Sequence, residues 1–279
     1  MIAPLSLVAT SRTRTIRELV CARTHWISSY DMRPGSLFEG VAQRLAILVS
    51  QNSGKPPARA YVGGYRRWSS EERAHLIEVT CYADAPQLSP RGAIPKLESE
   101  IERAILMKVV GDPLERRKDQ NSEPIVVHRI VRYFIKALDF VPSFVGSDGA
   151  VGRSADYKEF HFSREQRVAI TALLNSTLFY WFWRLHSDGF HCGYADVYAV
   201  PFPPVERTET IILLSDLTDK LMDHLRDHSE IKSITTKAGR IQYQEFRMAG
   251  AKSLLDEIDT ALAEHYGLSP GRAGFRYQL

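Results

Sequence analysis

Apolar positions fall in short runs through the first third of the chain and in helix-spaced stripes toward its end. Ile2 to Val8 (Ile-Ala-Pro-Leu-Ser-Leu-Val) is apolar at almost every position, the pattern of a buried strand. Thr10 or Ser11 then suits the cap of a helix over Thr13 to Ala22, with Ile16, Leu19 and Val20 on one face. Trp26 to Tyr30, Arg44 to Ser50, Tyr61 to Trp68 and Leu76 to Ala83 read as further extended segments. Between them Arg33-Pro34-Gly35 predicts a turn, and Asn52, Gly54, Pro56 and Pro57 end the strand before them. Little helix separates the last of these strands. Residues 1–85 therefore read as the tail of an α/β sheet that finishes in antiparallel pairing.

A Pro/Gly/Ser-rich linker from Pro86 to Pro95 opens a second region, residues 95–205. Pro95 suits the first turn of a helix running to Val110, with Leu97, Ile101, Ala104, Ile105 and Val109 on one stripe. Gly111 to Pro124 is a charged loop, Ile125 to His128 and Tyr133 to Val141 are strand candidates, and Gly146 to Ser154 is a loop. Ser163 with Gln166 has the form of a capping box for a long helix, Arg164 to about Leu185, apolar on nearly every face toward its end and therefore deeply buried. After Pro201, Pro203 and Pro204, residues 206–279 read as a helical segment. Helices are predicted over Thr210 to Asp227 and Tyr243 to Tyr266, the second closed by Gly267.

Composition leaves this picture intact. At 279 residues, with 44% hydrophobic and 25% charged residues, the chain has the make-up of a globular protein of more than one domain. The longest apolar runs fall far short of the roughly 18 residues of a spanning helix. The initial apolar run lacks the basic segment and cleavage site of a signal peptide. A strand at the first residue predicts a chain that starts within a fold. Three cysteines without a CxxC pair suit a reducing cytoplasm. Net charge is only +3, yet residues 1–80 hold 11 Lys/Arg against 6 Asp/Glu. Such a bias fits an anionic partner or a solvated basic face.

The familiar catalytic signatures are missing: no G-x-G-x-x-G, no phosphate-binding GK[ST] loop, no HExxH and no G-x-S-x-G. His186, Asp188, His191 and Cys192 lie close in sequence, but without a second ligand cluster they fit a polar loop capping the buried helix better than a metal site. Phe179 to Trp183 is wholly aromatic (Phe-Tyr-Trp-Phe-Trp). Such a run can stack bases, although its place in an all-round apolar helix favours core packing. Arg129, Arg132 and Lys136 interleave with Tyr133 and Phe134 on short strands, which suits phosphate contact and equally a solvated strand edge.

Particular blocks carry a resemblance. Pro4-Leu5-Ser6-Leu7 before a helix, then Ser28-Ser29-Tyr30-Asp31-x-Arg33-Pro34-x-x-Leu37-Phe38-Glu39-Gly40-Val41-x-Gln43-Arg44-Leu45, resembles the second half of the catalytic domain of adenine-specific DNA methyltransferases of restriction-modification systems. Leu174-Asn175-Ser176-x-Leu178-Phe179-Tyr180-Trp181 with Ser187-Asp188-Gly189 is similar to their target-recognition region, and Asp256-Glu257-Ile258-Asp259 with His265-Tyr266-Gly267-Leu268 to their closing helix. The likeness runs from Ile2 to about Leu268.

The resemblance implies a partial class I methyltransferase (Rossmann-like) sheet over 1–85, an α+β target-recognition domain over 95–205 and C-terminal helices over 206–279. It implies double-stranded DNA as partner, with no membrane role, and Phe38 as the aromatic that stacks on the extruded adenine, or else packs beside Leu37. Arg33, Arg44, Arg66, Arg67, Arg129, Arg132 and Lys136 are the candidate DNA contacts, with Arg44 alternatively fixing the turn through Glu39 or Asp31. The family's S-adenosylmethionine loop and its Asn/Asp-Pro-Pro-Tyr/Phe tetrapeptide have no counterpart in this sequence. On motif order both would precede Met1. The expectation is thus a DNA-recognition part that binds no methyl donor and has no catalytic residue of its own, S-adenosylmethionine belonging to a complete enzyme with a companion N-terminal half. The alternatives are a non-catalytic specificity or assembly subunit of a restriction-modification system, or an inactive gene fragment.

Overall fold

The computed structural model describes residues 1–52, 59–85, 92–132, 134–205 and 208–268. Gly54, Pro56 and Pro57, most of the linker from Pro86, and Tyr133 lie outside these residues. The protein is mixed α/β and divides into two compact units. The first comprises Met1–Val109 with Trp181–His191, the second Val110–Tyr180 with the chain from Cys192 on. These seams differ from breaks at 85, 95 and 205. Residues 93–97 bury themselves in the first unit, and the C-terminal helices pack on Arg164–Asn175 in the second. Among the described residues no helix is long and apolar enough to cross a membrane.

The first unit is built on a five-stranded mixed sheet. Its elements are β1 (Ile2–Pro4), α1 (Ser6–Ala9), α2 (Arg14–Cys21), β2 (Thr24–Tyr30), β3 (Leu45–Gln51), β4 (Ala60–Arg66), β5 (Ala83–Ala85) and α3 (Glu100–Leu106). Strand order is β1-β3-β2-β4-β5. Strand β3 runs antiparallel between β1 and β2, pairing Ile47 with both Ile2 and Ser28. Strand β4 runs parallel to β2, and β5 antiparallel to β4. The antiparallel finish predicted from sequence is present.

Four local readings need correction. The Ile2 to Val8 run is a strand only to Pro4, because the carbonyls beyond it are taken by side chains. Thr13 Oγ1 donates to Ser6 O and Leu7 O, and the buried Arg17 guanidinium donates to Leu7 O and Thr10 O. On α2 the predicted apolar face is therefore turned out. Ile16 and Leu19 are exposed, and Arg17 is the inward residue. Leu76 to Tyr82 is not a strand either, the strand here beginning only at Ala83. Ser70–His75 is a 3-10 turn held by Ser69 and Glu72, and Leu76 drops into a cluster with Tyr30, Leu37, Leu45 and Trp68. The helix expected from Pro95 starts at Glu100, capped by Ser99, because Lys96 is buried and its ammonium donates to Leu185 O and Ser187 O at 2.8 Å each.

The second unit holds two small sheets and a helical layer. The elements are β6 (Pro124–His128), β7 (Ala137–Leu138), β8 (Phe144–Val145), β9 (Tyr157–His161), α4 (Arg164–Asn175), α5 (Thr177–His186, whose part from Trp181 on belongs to the first unit), α6 (Tyr194–Tyr198), α7 (Thr208–Asp227), β10 (Ser229–Thr236), β11 (Gly239–Phe246) and α8 (Lys252–His265). The sheets are ordered β7-β6-β9 and β10-β11-β8, all antiparallel. Helix α4 packs on α7 and α8.

Here too the segmentation differs from the apolar pattern. The long helix from Arg164 breaks at Ser176, whose Oγ accepts from Phe179 N while Asp259 Oδ1 accepts from Thr177 N, so that two side chains cap a new helix. Ser163 makes no side-chain cap, because Gln166 is engaged by Arg117. The strand expected over Tyr133 to Val141 shrinks to two residues. The helix expected from Tyr243 begins at Lys252, and the segment before it is the β10–β11 hairpin. Gly267 does close α8: at φ +63° it supplies the left-handed residue, and Leu268 N reaches Ala263 O at 2.8 Å.

Three histidines, His25 fully buried and His128 and His265 partly so, set an acid limit. Burial holds His25, His128 and His265 below the ordinary histidine pKa. Near pH 6.5 the unfolded chain takes up protons that these sites refuse, so stability is full above that pH and falls as pH drops below it. Asp139 and Asp259, raised by burial, work oppositely as the carboxylate range is approached. We expect a lower urea midpoint at pH 5.5 than at pH 7.5; equal midpoints would contradict neutral burial.

Candidate nucleic-acid interface

In the first unit the segment between β2 and β3 is anchored at both ends and exposed in its middle. Asp31, 2% exposed at the end of β2, forms an ion pair with Arg44, Nε to Oδ1 3.1 Å, and accepts from Arg67 Nε at 3.0 Å on its other oxygen. The Arg44 Nε–H itself donates to the Tyr65 hydroxyl at 2.7 Å. Burial and the nearby Asp31 charge push that phenol's pKa up, keeping it neutral. Gly35 N donates to Trp68 O, and Leu37 is buried in the cluster with Trp68 and Leu76. The next residue, Phe38, is 43% exposed, and Arg33 is exposed as well.

These placements separate the candidates of this unit. Phe38 and Arg33 face solvent. Arg44 is committed to Asp31, the turn-fixing role, while Glu39 pairs instead with Arg73 at 3.5 Å. Arg67 shares Asp31, and Arg66 lies 3.5 Å from Glu98. Arg44 and Arg67 thus act first as anchors of the loop that presents Phe38.

The polar loop singled out at His186 to Cys192 contributes to this anchor. The Leu185–His191 segment packs on the same anchor: the Arg44 guanidinium sits 5.0 Å from the Phe190 ring centroid, and Arg184 Nη2 donates to Tyr65 O at 3.0 Å. Gly189, at φ +75°, lies so close that a Cβ would stand 2.7 Å from the Tyr65 hydroxyl. Asp188 Oδ1 accepts from the backbone of Phe190 and His191, which folds the loop. The Ser-Asp-Gly triplet is the signal for that turn. The loop is thus capped as a polar turn, and His186 Nδ1 bonds Phe182 O. No cluster of three or more metal-ligating side chains occurs among the described residues. The Phe179 to Trp183 run is buried throughout, in core packing rather than on a surface for bases.

In the second unit Arg129, Arg132 and Lys136 border the β6–β7 connection. Arg129 pairs with Asp156 at 3.4 Å, and Arg132 is exposed. Lys136 is half-buried, its pKa lowered first by burial, and no carboxylate lies within 4 Å of its ammonium among the described residues. Arg132, Phe134 and Lys136 line a cleft of about 720 Å³, which Ile234, Ile241 and Tyr243 of the β10–β11 hairpin also line. The hairpin was not foreseen as part of any site. Ile241, Gln242, Tyr243 and Gln244 alternate with the strand period, whereas Ile231 and Ile234, three residues apart, do not.

No protein-family model matches the chain, and no curated protein matches it.

Proposed function

We propose that this chain recognises DNA as part of an adenine-specific DNA methyltransferase of a restriction-modification system. The observation that carries the reading is the exposed Phe38, presented by a loop whose neighbours Leu37 and Asp31 are buried and fixed. Methylation of a base amine requires the base to leave the stack, and an aromatic face offsets part of the lost stacking, roughly 1–3 kcal/mol. Exposed Arg33 beside it suits phosphate contact, and Arg132 and Lys136 offer a second basic surface. The antiparallel finish of the sheet is what the partial methyltransferase fold calls for.

The glycine-bearing loop and the Asn/Asp-Pro-Pro-Tyr/Phe tetrapeptide through which such enzymes hold S-adenosylmethionine and the target amine have no counterpart in this sequence. Methyl transfer is therefore assigned to a companion half, and the chain's own part is to bind and hold the target. The missing donor loop favours a specificity or assembly subunit as the second reading. In a mobility-shift titration with mixed-sequence duplexes, binding should weaken steeply as salt rises, because cationic side chains release counterions from phosphate. Phe38→Ala should cost roughly tenfold on a duplex with a mispaired target adenine. No salt-sensitive binding to any duplex would remove the proposal. Calorimetric binding of S-adenosylmethionine by this chain would contradict the division of labour.

A further inference from the structure

The cleft in the second unit has features that phosphate contact along an open strand edge does not require. Its volume of about 720 Å³ lies within the usual range of small-molecule sites, about 300–1,000 Å³. One side carries Arg132 and Lys136; Ile130, Phe134, Ile241 and Tyr243 supply apolar and aromatic surface. The two nearby carboxylates are drawn to other cations, Asp156 to Arg129 at 3.4 Å and Glu245 to Lys232 at 3.8 Å. Lys136 is thus partly removed from water without a carboxylate at ion-pair distance. Asp156 and Glu245 also line the cleft, with Glu245 acting on Lys136 from beyond ion-pair distance, and an anion entering beside Lys136 would supply the direct partner that neither of them gives. His128 donates from Nδ1 to Ile130 O at 2.8 Å and sets its ring edge against Tyr157, centroids 4.8 Å apart, which stiffens the wall next to Lys136.

We propose that this cleft seats a single nucleotide unit, with phosphate at Lys136 and Arg132 and the base against Phe134 and Tyr243. The assignment rests on the DNA-recognition reading for its ligand class. Cation, aromatic surface and size come from the cleft itself. The same chemistry is offered by an unpaired nucleotide within bound DNA and by a free nucleoside monophosphate, so both are tested.

The full chain is titrated with a mixed-sequence duplex, with the same duplex carrying one bulged nucleotide, with free deoxynucleoside monophosphates, and with inorganic phosphate. The expected result is roughly tenfold tighter binding of the bulged duplex. Lys136→Met should abolish that advantage. Exposed Arg132→Gln, which leaves the core untouched, should reduce it, as should Tyr243→Leu. Monophosphates should compete for the site where phosphate alone does not. If the wild type binds both duplexes equally, or if the variants keep the bulge preference, the cleft proposal falls while DNA recognition stands. If no duplex binds but monophosphates do, in a Lys136-dependent way, the DNA reading falls and the cleft binds free nucleotide. If neither binds, both are overturned.

Discussion

Asp31→Asn is expected to lower folding stability by about 3 kcal/mol, the usual cost of removing one partner from a buried ion pair. Asp31 is buried and carries both guanidinium groups, Arg44 16% exposed and Arg67 34% exposed. The amide of asparagine still accepts one hydrogen bond but leaves two cations without a countercharge. Solvent recovers part of the loss at Arg67 and little at Arg44. Urea denaturation of the two proteins measures the difference, and a loss below about 1 kcal/mol would mean that the pair contributes no more than a surface contact. A double-mutant cycle with Arg44→Met should return most of the effect as coupling. Because Asp31 fixes the loop holding Phe38, DNA binding should decline even below the unfolding range.

Asn175→Leu should be nearly as costly, again about 3 kcal/mol. The Asn175 amide replaces a strand neighbour for Ala137. Its Oδ1 accepts from Ala137 N at 3.1 Å and its Nδ2 donates to Ala137 O at 2.7 Å, while Nδ2 also reaches Thr171 O. Leucine has similar bulk and offers neither bond, so a backbone donor and acceptor are left in the core, each costing about 1–3 kcal/mol. Asn175→Asp should rescue little, since the carboxylate keeps the acceptor, loses the donor and places a charge at a site only 5% exposed. A leucine variant as stable as the wild type would show that Ala137 finds other partners.

Much of the first sheet was legible in the sequence. The strands at Thr24–Tyr30, Leu45–Gln51 and Ala60–Arg66 follow their apolar and aromatic runs, and the loop holding Phe38 follows its turn residues. What escaped reading depends on side chains that reach backbone across the fold. Arg17 looks like a surface residue between Ile16 and Glu18, yet its bonds to Leu7 O and Thr10 O turn the helix over. Lys96 delays α3 in the same manner by bonding carbonyls about 90 residues away in sequence. Ser176 sits in a polar triplet, Asn175-Ser176-Thr177, between two apolar stretches whose periodicity carries the helix across it; its cap partner Asp259 is too distant in sequence to be seen. The Asn175-Ser176 pair stood out only through resemblance, and its structural duties, a mimic strand and a helix cap, account for those residues at that place.

The contact between Gly189 and Tyr65 ties the fates of two positions far apart in the chain. Any side chain at 189 meets both an unfavourable backbone angle and the phenol ring, and displacing that ring disturbs Arg44. A smaller residue at 65 would open the space but surrender the hydroxyl. Sequence drift at either site is therefore contingent on the other, and a library that randomises both together should recover viable pairs that single-site scanning misses.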